Sequence, residues 1–126
     1  MDAERRKYTR FLAQKDAFAA LRMEFTKVGV IKDISIKGLA FSYLIETFKD
    51  TKDFDSLRVD IFLSGNDFYL SNIPCKIVYD IPSNGYQKSN DFLMFRCGLQ
   101  FETLKKNQLG QLEFFINNHT TGISPS

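Results

Sequence analysis

The sequence is poor in the residues that build metal sites and catalytic centres. Its 126 residues include one histidine, two cysteines and no tryptophan. Cys75 and Cys97 do not have C-x-x-C spacing, and the single His119 cannot complete a zinc site with them. A Ser-His-Asp order and a glycine-rich phosphate loop are absent from the sequence. These absences argue against an enzyme, and we expect neither a metal nor a resident cofactor.

The sequence also lacks apolar segments that would direct it into or across a membrane. No apolar run approaches the roughly 18 residues that span a bilayer, and the chain does not open with a charged stretch followed by an apolar one. Both cysteines lie in alternating apolar stretches, where free thiols are usually buried. Buried free thiols suit a reducing environment, so we expect a cytoplasmic protein without a membrane partner.

Charge is nearly balanced, with 17 basic and 15 acidic residues. A net charge of +2 gives no support to general attraction of the whole surface to nucleic acid. The basic residues are unevenly placed, however, because five of the 17 fall between Arg5 and Lys15. The N-terminus is therefore a local cationic arm on a chain long enough for one packed domain.

Apolar residues alternate with polar ones through most of the chain, which predicts half-buried antiparallel strands. The period changes once, after Thr103, where Leu109, Leu112, Phe115 and Ile116 follow helical spacing. Six strands and one C-terminal helix indicate a small barrel or sandwich with the helix over one end. The predicted strands cover residues 16–22, 27–34, 38–44, 57–63, 73–81 and 93–101.

The polar stretch "DISIKG" connects two of these strands and places Asp33, Ser35 and Gly38 close together. One interpretation is structural, because Asp33 can bond the backbone near Ser35 as an Asx-turn while Gly38 supplies an unusual backbone angle. The other is chemical. A carboxylate accepts from the N1 and N2 donors of guanine, a hydroxyl serves a phosphate, and a glycine lets a ligand approach.

A second stretch, "ERRKYTR", concentrates arginines at Arg5, Arg6 and Arg10. It could be a solvated basic tail, as such runs usually are. Arginine, however, bonds phosphate bidentately, stacks on flat rings and matches the O6/N7 edge of guanine. A ligand that combines phosphates with guanines would use the features of both stretches, although neither stretch is decisive alone.

Taken together, the two stretches give the chain a resemblance to the PilZ domain family. The resemblance rests on R-x-x-x-R at Arg6 and Arg10 and on D-x-S-x-x-G at Asp33, Ser35 and Gly38. It is extended by "RCGLQFETL" and a helix carrying "LEFFI", so that it covers residues 4–118. It implies a mainly β fold, a six-stranded antiparallel β-barrel with one C-terminal α-helix. We accordingly divide the chain into a flexible arm (1–15), the barrel with its helix (16–119) and a disordered tail (120–126).

The resemblance further implies a bacterial cyclic di-GMP receptor that changes conformation on binding and signals through a separate protein. The arginines would take phosphate and guanine, Asp33 would bind a guanine edge, Ser35 would add a hydroxyl contact, and Gly38 would permit close approach. Lys37, which replaces the small residue common before this glycine, is an auxiliary candidate. Arg96 is another, although a solvated position on the barrel exterior is the default for an arginine there.

In the family that the chain resembles, an arginine directly before R-x-x-x-R accompanies binding of two stacked cyclic di-GMP molecules. Arg5 occupies that position, so the resemblance implies two ligands per chain. Two alternatives stay open at this point. One is an adaptor that binds proteins and no nucleotide, and the other is a small barrel that binds single-stranded nucleic acid.

Overall fold

The computed structural model describes residues 8–23, 26–45, 57–65, 67–83 and 93–125. Arg5 and Arg6 therefore lie outside the described residues. Within these ranges the chain is mainly β-strand with one helix. The elements are β1 (Phe11–Ala13), β2 (Ala17–Arg22), β3 (Lys27–Ser35), β4 (Gly38–Ile45), β5 (Leu57–Leu63), β6 (Tyr69–Pro82), β7 (Leu93–Phe101), α1 (Lys106–Asn118) and β8 (Thr120–Ile123).

Six of the strands close into an antiparallel barrel in the order β2-β5-β6-β7-β4-β3, with β3 returning to pair with β2. Each of these six contains or overlaps one predicted strand, so the predicted six-stranded barrel is confirmed. The alternation of apolar and polar residues predicted these strands correctly because one face of each strand lies on a shared core. The fully buried core residues include Phe41, Ile61 and Cys97, and each large apolar side chain contributes roughly 1.5–3 kcal/mol by its burial.

Helix α1 adds Leu112 and Phe115 to the same core cluster. Two details differ from the sequence prediction. The N-cap is Lys105, not Thr103, and its backbone N–H donates to the Gln108 side chain at 2.9 Å. Leu109 is exposed, and the polar Gln108 takes the buried position because its amide donates to two carbonyls of β6. No helix in the described ranges is both long and apolar enough to cross a membrane.

Short strands at both ends of the chain extend the sheet beyond the barrel. Strand β1 pairs with both β3 and β8, and the Ser124 N–H donates to the Arg10 carbonyl at 2.9 Å. The structure thus differs from the predicted flexible arm at Phe11–Ala13 and from the predicted disordered tail at Thr120–Ile123. Strands of three and four residues are too short to show a period in sequence, and they form here because each supplies the other's hydrogen bonds.

Strand β3 pairs with two strands in succession along one of its edges, and this brings the arm to the barrel. Its first half, Lys27–Val30, pairs with β2, whereas Asp33 and Ile34 pair with β1. A register shift between Ile31 and Asp33 marks the change on the β4 side. Asp33 therefore lies where β3 leaves the barrel wall, with the arm beside it.

Candidate functional site

The turn between β3 and β4 has only two residues, Ile36 and Lys37. The Ser35 hydroxyl accepts from the Lys37 N–H at 3.0 Å, and the Lys37 carbonyl accepts from the Phe101 N–H at 2.8 Å. The turn is therefore supported by the Ser35 side chain. The Asp33 carboxylate does not form the Asx-turn that the sequence suggested as one interpretation. The carboxylate of Asp33 is left for other partners.

Gly38, the last residue of the D-x-S-x-x-G motif, has a packing role in the barrel. A Cβ at this position would lie 2.1 Å from the Leu99 carbonyl oxygen on β7. Only glycine lets the two strands approach this closely, because the obstructing atom belongs to the backbone and cannot move aside. Gly38 thus allows the close strand spacing that holds the turn beside Ser35, and this role does not depend on a ligand.

The Asp33 carboxylate lies between two arginines at the barrel edge. Its side chain is 6% exposed, yet Oδ1 accepts from Arg10 Nη1 at 2.8 Å and Oδ2 accepts from Arg96 Nη2 at 3.1 Å. A buried charge is costly unless it is paired and hydrogen-bonded, and here each oxygen has its own guanidinium. The two arginine side chains are about one third exposed, at 34% and 36%, so the cluster opens to solvent on the arginine side.

Arg96 is held from its other side by Tyr79. Its Nε donates to the Tyr79 hydroxyl at 3.3 Å, and the tyrosine ring lies where a Cβ at Gly98 would be, 2.2 Å from its Cε2. The Tyr79 hydroxyl, together with the Asp33 carboxylate, raises the pKa of Arg96, so the guanidinium stays charged. Arg96 therefore lies on the barrel exterior, as expected by default from the sequence, but its guanidinium is bonded to Tyr79 and Asp33 and is only partly exposed.

Sequence reasoning missed Tyr79 for a specific reason. Strict alternation through β6 places Tyr79 on the inward face with Cys75 and Ile77. A register shift between Ile77 and Tyr79 adds one residue to the strand and turns Tyr79 to the outer face, opposite Gly98. A bulge of this kind leaves no distinct signal in the sequence.

Tyr8 is a second residue that the sequence did not single out. Its ring lies under the Lys37 ammonium, with the Nζ 5.3 Å from the ring centroid, and 42% of Tyr8 is exposed. Tyr8 thus contacts the turn through Lys37, two residues before the arginine that bonds Asp33. A groove of about 600 Å³, which α1 completes, is lined by Tyr8, Phe11 and Ile36.

The cluster brings together Arg10, Asp33, Ser35, Lys37 and Arg96, five of the predicted site residues. It offers guanidinium and ammonium donors for anions next to a carboxylate that accepts N–H groups. Among the described residues, no three His, Cys, Asp or Glu side chains come together as a metal site would need. The arrangement therefore suits binding of a ligand that has both an anionic part and a hydrogen-bond donor edge.

Several solved structures are similar to this chain. The PilZ domain of YcgR from Escherichia coli, solved with c-di-GMP, is 18% identical with a TM-score of 0.64, and the match covers 91% of each chain. The complex of K. pneumonia MrkH with c-di-GMP is 17% identical with a TM-score of 0.64 over 90% of this chain and 51% of MrkH. The Bacillus subtilis inhibitor of motility MotI/DgrA is 16% identical with a TM-score of 0.58 over 89% and 50%.

These TM-scores show a common fold, and the chain spans about half the length of the MrkH and MotI chains. A search for similar curated protein sequences gave no match. The profile of the PilZ domain, by contrast, matches residues 4–118, nearly the whole chain. With its six-stranded barrel and C-terminal helix, the chain belongs to the PilZ domain family.

Proposed function

We propose that this PilZ domain is a cyclic di-GMP receptor. The observation that carries the proposal is the Asp33 carboxylate, buried at the barrel edge and bonded by Arg10 and Arg96. A guanine presents N1–H and N2–H donors to such a carboxylate, and the phosphates of the ligand suit the guanidinium groups beside it. The YcgR and MrkH structures that share this fold contain c-di-GMP, which supports the same ligand here.

In this proposal the arm and the turn bind different parts of the ligand. Arg5, Arg6 and Arg10 bind phosphate and guanine, while Asp33 binds a guanine edge. Ser35 acts at the turn, where its hydroxyl already accepts from a backbone N–H and keeps a lone pair for a water or ligand donor. Lys37 adds positive charge next to Tyr8, and Gly38 contributes through the strand spacing that holds the turn.

We further propose that two cyclic di-GMP molecules bind per chain. Arg5 supports this, because a stacked pair carries about four phosphate charges and exposes additional purine faces. A third guanidinium can neutralise one phosphate and stack on a base. In this proposal the signal passes to a separate downstream protein in the cytoplasm. Ligand contacts by Arg10 would replace its bond to Asp33 and so disturb the arm, which is paired with β3 and β8.

Calorimetric titration with cyclic di-GMP, cyclic di-AMP, GTP and a short oligonucleotide tests the proposal. Cyclic di-AMP is the matched control, since it keeps the phosphates but presents an acceptor at N1 of the base. We expect cyclic di-GMP to bind with a ratio of two and cyclic di-AMP to bind at least about tenfold more weakly. Failure to bind cyclic di-GMP would favour a protein adaptor, and preferred binding of the oligonucleotide would favour a nucleic-acid binder.

A further inference from the structure

We propose that Arg96 is a positioning residue that holds Asp33 in place while Arg10 exchanges Asp33 for the ligand. This inference rests on the proposed function and assigns different roles to the two arginines of one carboxylate. In the free protein, both oxygens of Asp33 are already bonded by guanidinium groups. A guanine edge can reach Asp33 only if one of these groups gives way.

The backbone around each arginine decides which group gives way. Arg10 precedes the three-residue strand β1, and its side chain forms an ion pair between the arm and the barrel. Arg96 lies within the nine-residue strand β7, which is paired on both sides, with β4 at Ser42 and with β6 at Ile81. The backbone of Arg96 is therefore fixed by the barrel wall, whereas that of Arg10 depends on a short ribbon at its edge.

The side chain of Arg96 is fixed as well. Its Nε donates to Tyr79 and its Nη2 donates to Asp33, so the planar guanidinium is bound at two points in different directions. Tyr79 itself has little freedom, because its ring lies against Gly98. Arg10, by contrast, donates to Asp33 through Nη1 alone among the described residues. The Asp33 carboxylate is thus oriented from the barrel side by a series of contacts that runs from Gly98 through Tyr79 to Arg96.

The two arginines therefore behave differently when the ligand binds. Arg10 leaves Oδ1 and turns to the ligand, and the guanine donors take its place. Arg96 stays on Oδ2, so the carboxylate keeps one charged partner and its orientation throughout the exchange. Loss of Arg96 would leave a buried carboxylate held only by a group that the ligand removes.

A double-mutant cycle with Arg96→Gln and Asp33→Asn, measured by calorimetry with cyclic di-GMP, tests this role. Alone, Arg96→Gln is expected to weaken binding about tenfold or more, as loss of a hydrogen bond to a charged group does. In the Asp33→Asn background the same change is expected to alter affinity by less than about twofold, because Arg96 acts through Asp33. Losses that add in the double variant would overturn the inference and make Arg96 a direct ligand contact.

Tyr79→Phe and Arg22→Gln complete the experiment. Tyr79→Phe removes only the hydroxyl that bonds Arg96 and keeps the ring on Gly98, so about threefold weaker binding with an unchanged ratio is expected. Arg22→Gln is the control, because Arg22 also bonds a buried aspartate, Asp60, away from this cluster. It is expected to lower Tm without changing affinity.

The two proposals fail in different ways. If the wild type binds cyclic di-GMP and Arg96→Gln binds it equally well, the inference on Arg96 is wrong and the receptor function stands. If the wild type does not bind cyclic di-GMP, the receptor function is wrong and the role of Arg96 falls with it.

Discussion

Asp33 and Asp60 are both buried aspartates bonded by arginine and placed near a tyrosine, but their partners differ in kind. Asp60 accepts from Arg22 Nε and Nη2 at 3.1 and 2.7 Å, from the Tyr69 hydroxyl at 2.7 Å and from the Asn72 N–H at 2.9 Å. Asp33 accepts from the ends of two arginines, one of them on the arm. One carboxylate is tied to the backbone of its own barrel, whereas the other is held by two side chains, of which Arg10 lies on the arm.

The surroundings of Asp60 explain why it is structural. The N–H that it binds belongs to Asn72, whose φ of 60° needs such support, and the Gln108 amide donates to the carbonyls of Ser71 and Asn72. The network therefore joins β5, β6 and α1. Asp33 bonds Arg96 within the barrel and Arg10 on the arm, so its bond to Arg10 can be exchanged for those of a ligand without opening the core.

The largest effect that separates the two clusters is on stability. Asp60→Ala would leave the Tyr69 hydroxyl and the Asn72 N–H without their acceptor, and we expect a loss of about 3 kcal/mol in the free energy of unfolding. Urea unfolding of the variant measures this loss. The affinity of the folded protein for cyclic di-GMP should stay unchanged, and a selective loss of binding would contradict the structural role.

Asp33→Ala should affect ligand affinity more than the free energy of unfolding, the opposite of Asp60→Ala. We expect binding of cyclic di-GMP to weaken by about 2 kcal/mol, as for loss of a base-edge contact, while the fold is retained. Calorimetry and urea unfolding on the same sample measure the two quantities. If Asp33→Ala unfolded the domain while the remaining folded fraction bound normally, Asp33 would have the structural role instead.

Arg5→Ala tests the arm without touching either aspartate. We expect the calorimetric ratio to fall from two to one, since Arg5 is the additional guanidinium proposed to hold the second ligand. Binding by the wild type should also weaken steeply with salt, because the contacts are ionic and partly exposed. A ratio near one in the wild type, or a ratio of two that persists in Arg5→Ala, would remove this role from Arg5.

The smallest effect concerns acid stability. Burial alone would raise the pKa of Asp60, but hydrogen bonds from Asn72, Tyr69 and Arg22 outweigh it and hold the pKa below the ordinary 3.8. A carboxyl with a lowered pKa in the folded state contributes stability above its unfolded pKa and loses it as the pH falls through the folded value. Between about pH 5 and about pH 2, the free energy of unfolding measured with urea should therefore fall more steeply for the wild type than for Asp60→Asn. Parallel curves would contradict this contribution.

The sequence predicted the barrel well because each of its six strands buries one face. Apolar and polar residues therefore alternate along each strand. The sequence also placed Arg10 and Asp33 in one site through their motifs. It named Arg96 only as an auxiliary candidate, because the contact of Arg96 with Asp33 spans 63 positions and depends on the β4–β7 register. The bulge that turns Tyr79 outward, and the buried hydrogen bonds that favour Gln108 over Leu109, likewise depend on tertiary partners.

The different roles of Asp33 and Asp60 are tested most directly on the two carboxylates themselves. Side-chain carboxyl carbon resonances of Asp33 and Asp60 can be assigned by NMR from the Asp33→Asn and Asp60→Asn variants and followed as cyclic di-GMP is added. If Asp33 binds the ligand and Asp60 is structural, the Asp33 resonance should shift in proportion to ligand occupancy while that of Asp60 stays in place. A stationary Asp33 resonance in the ligand-saturated protein would contradict the binding role of Asp33.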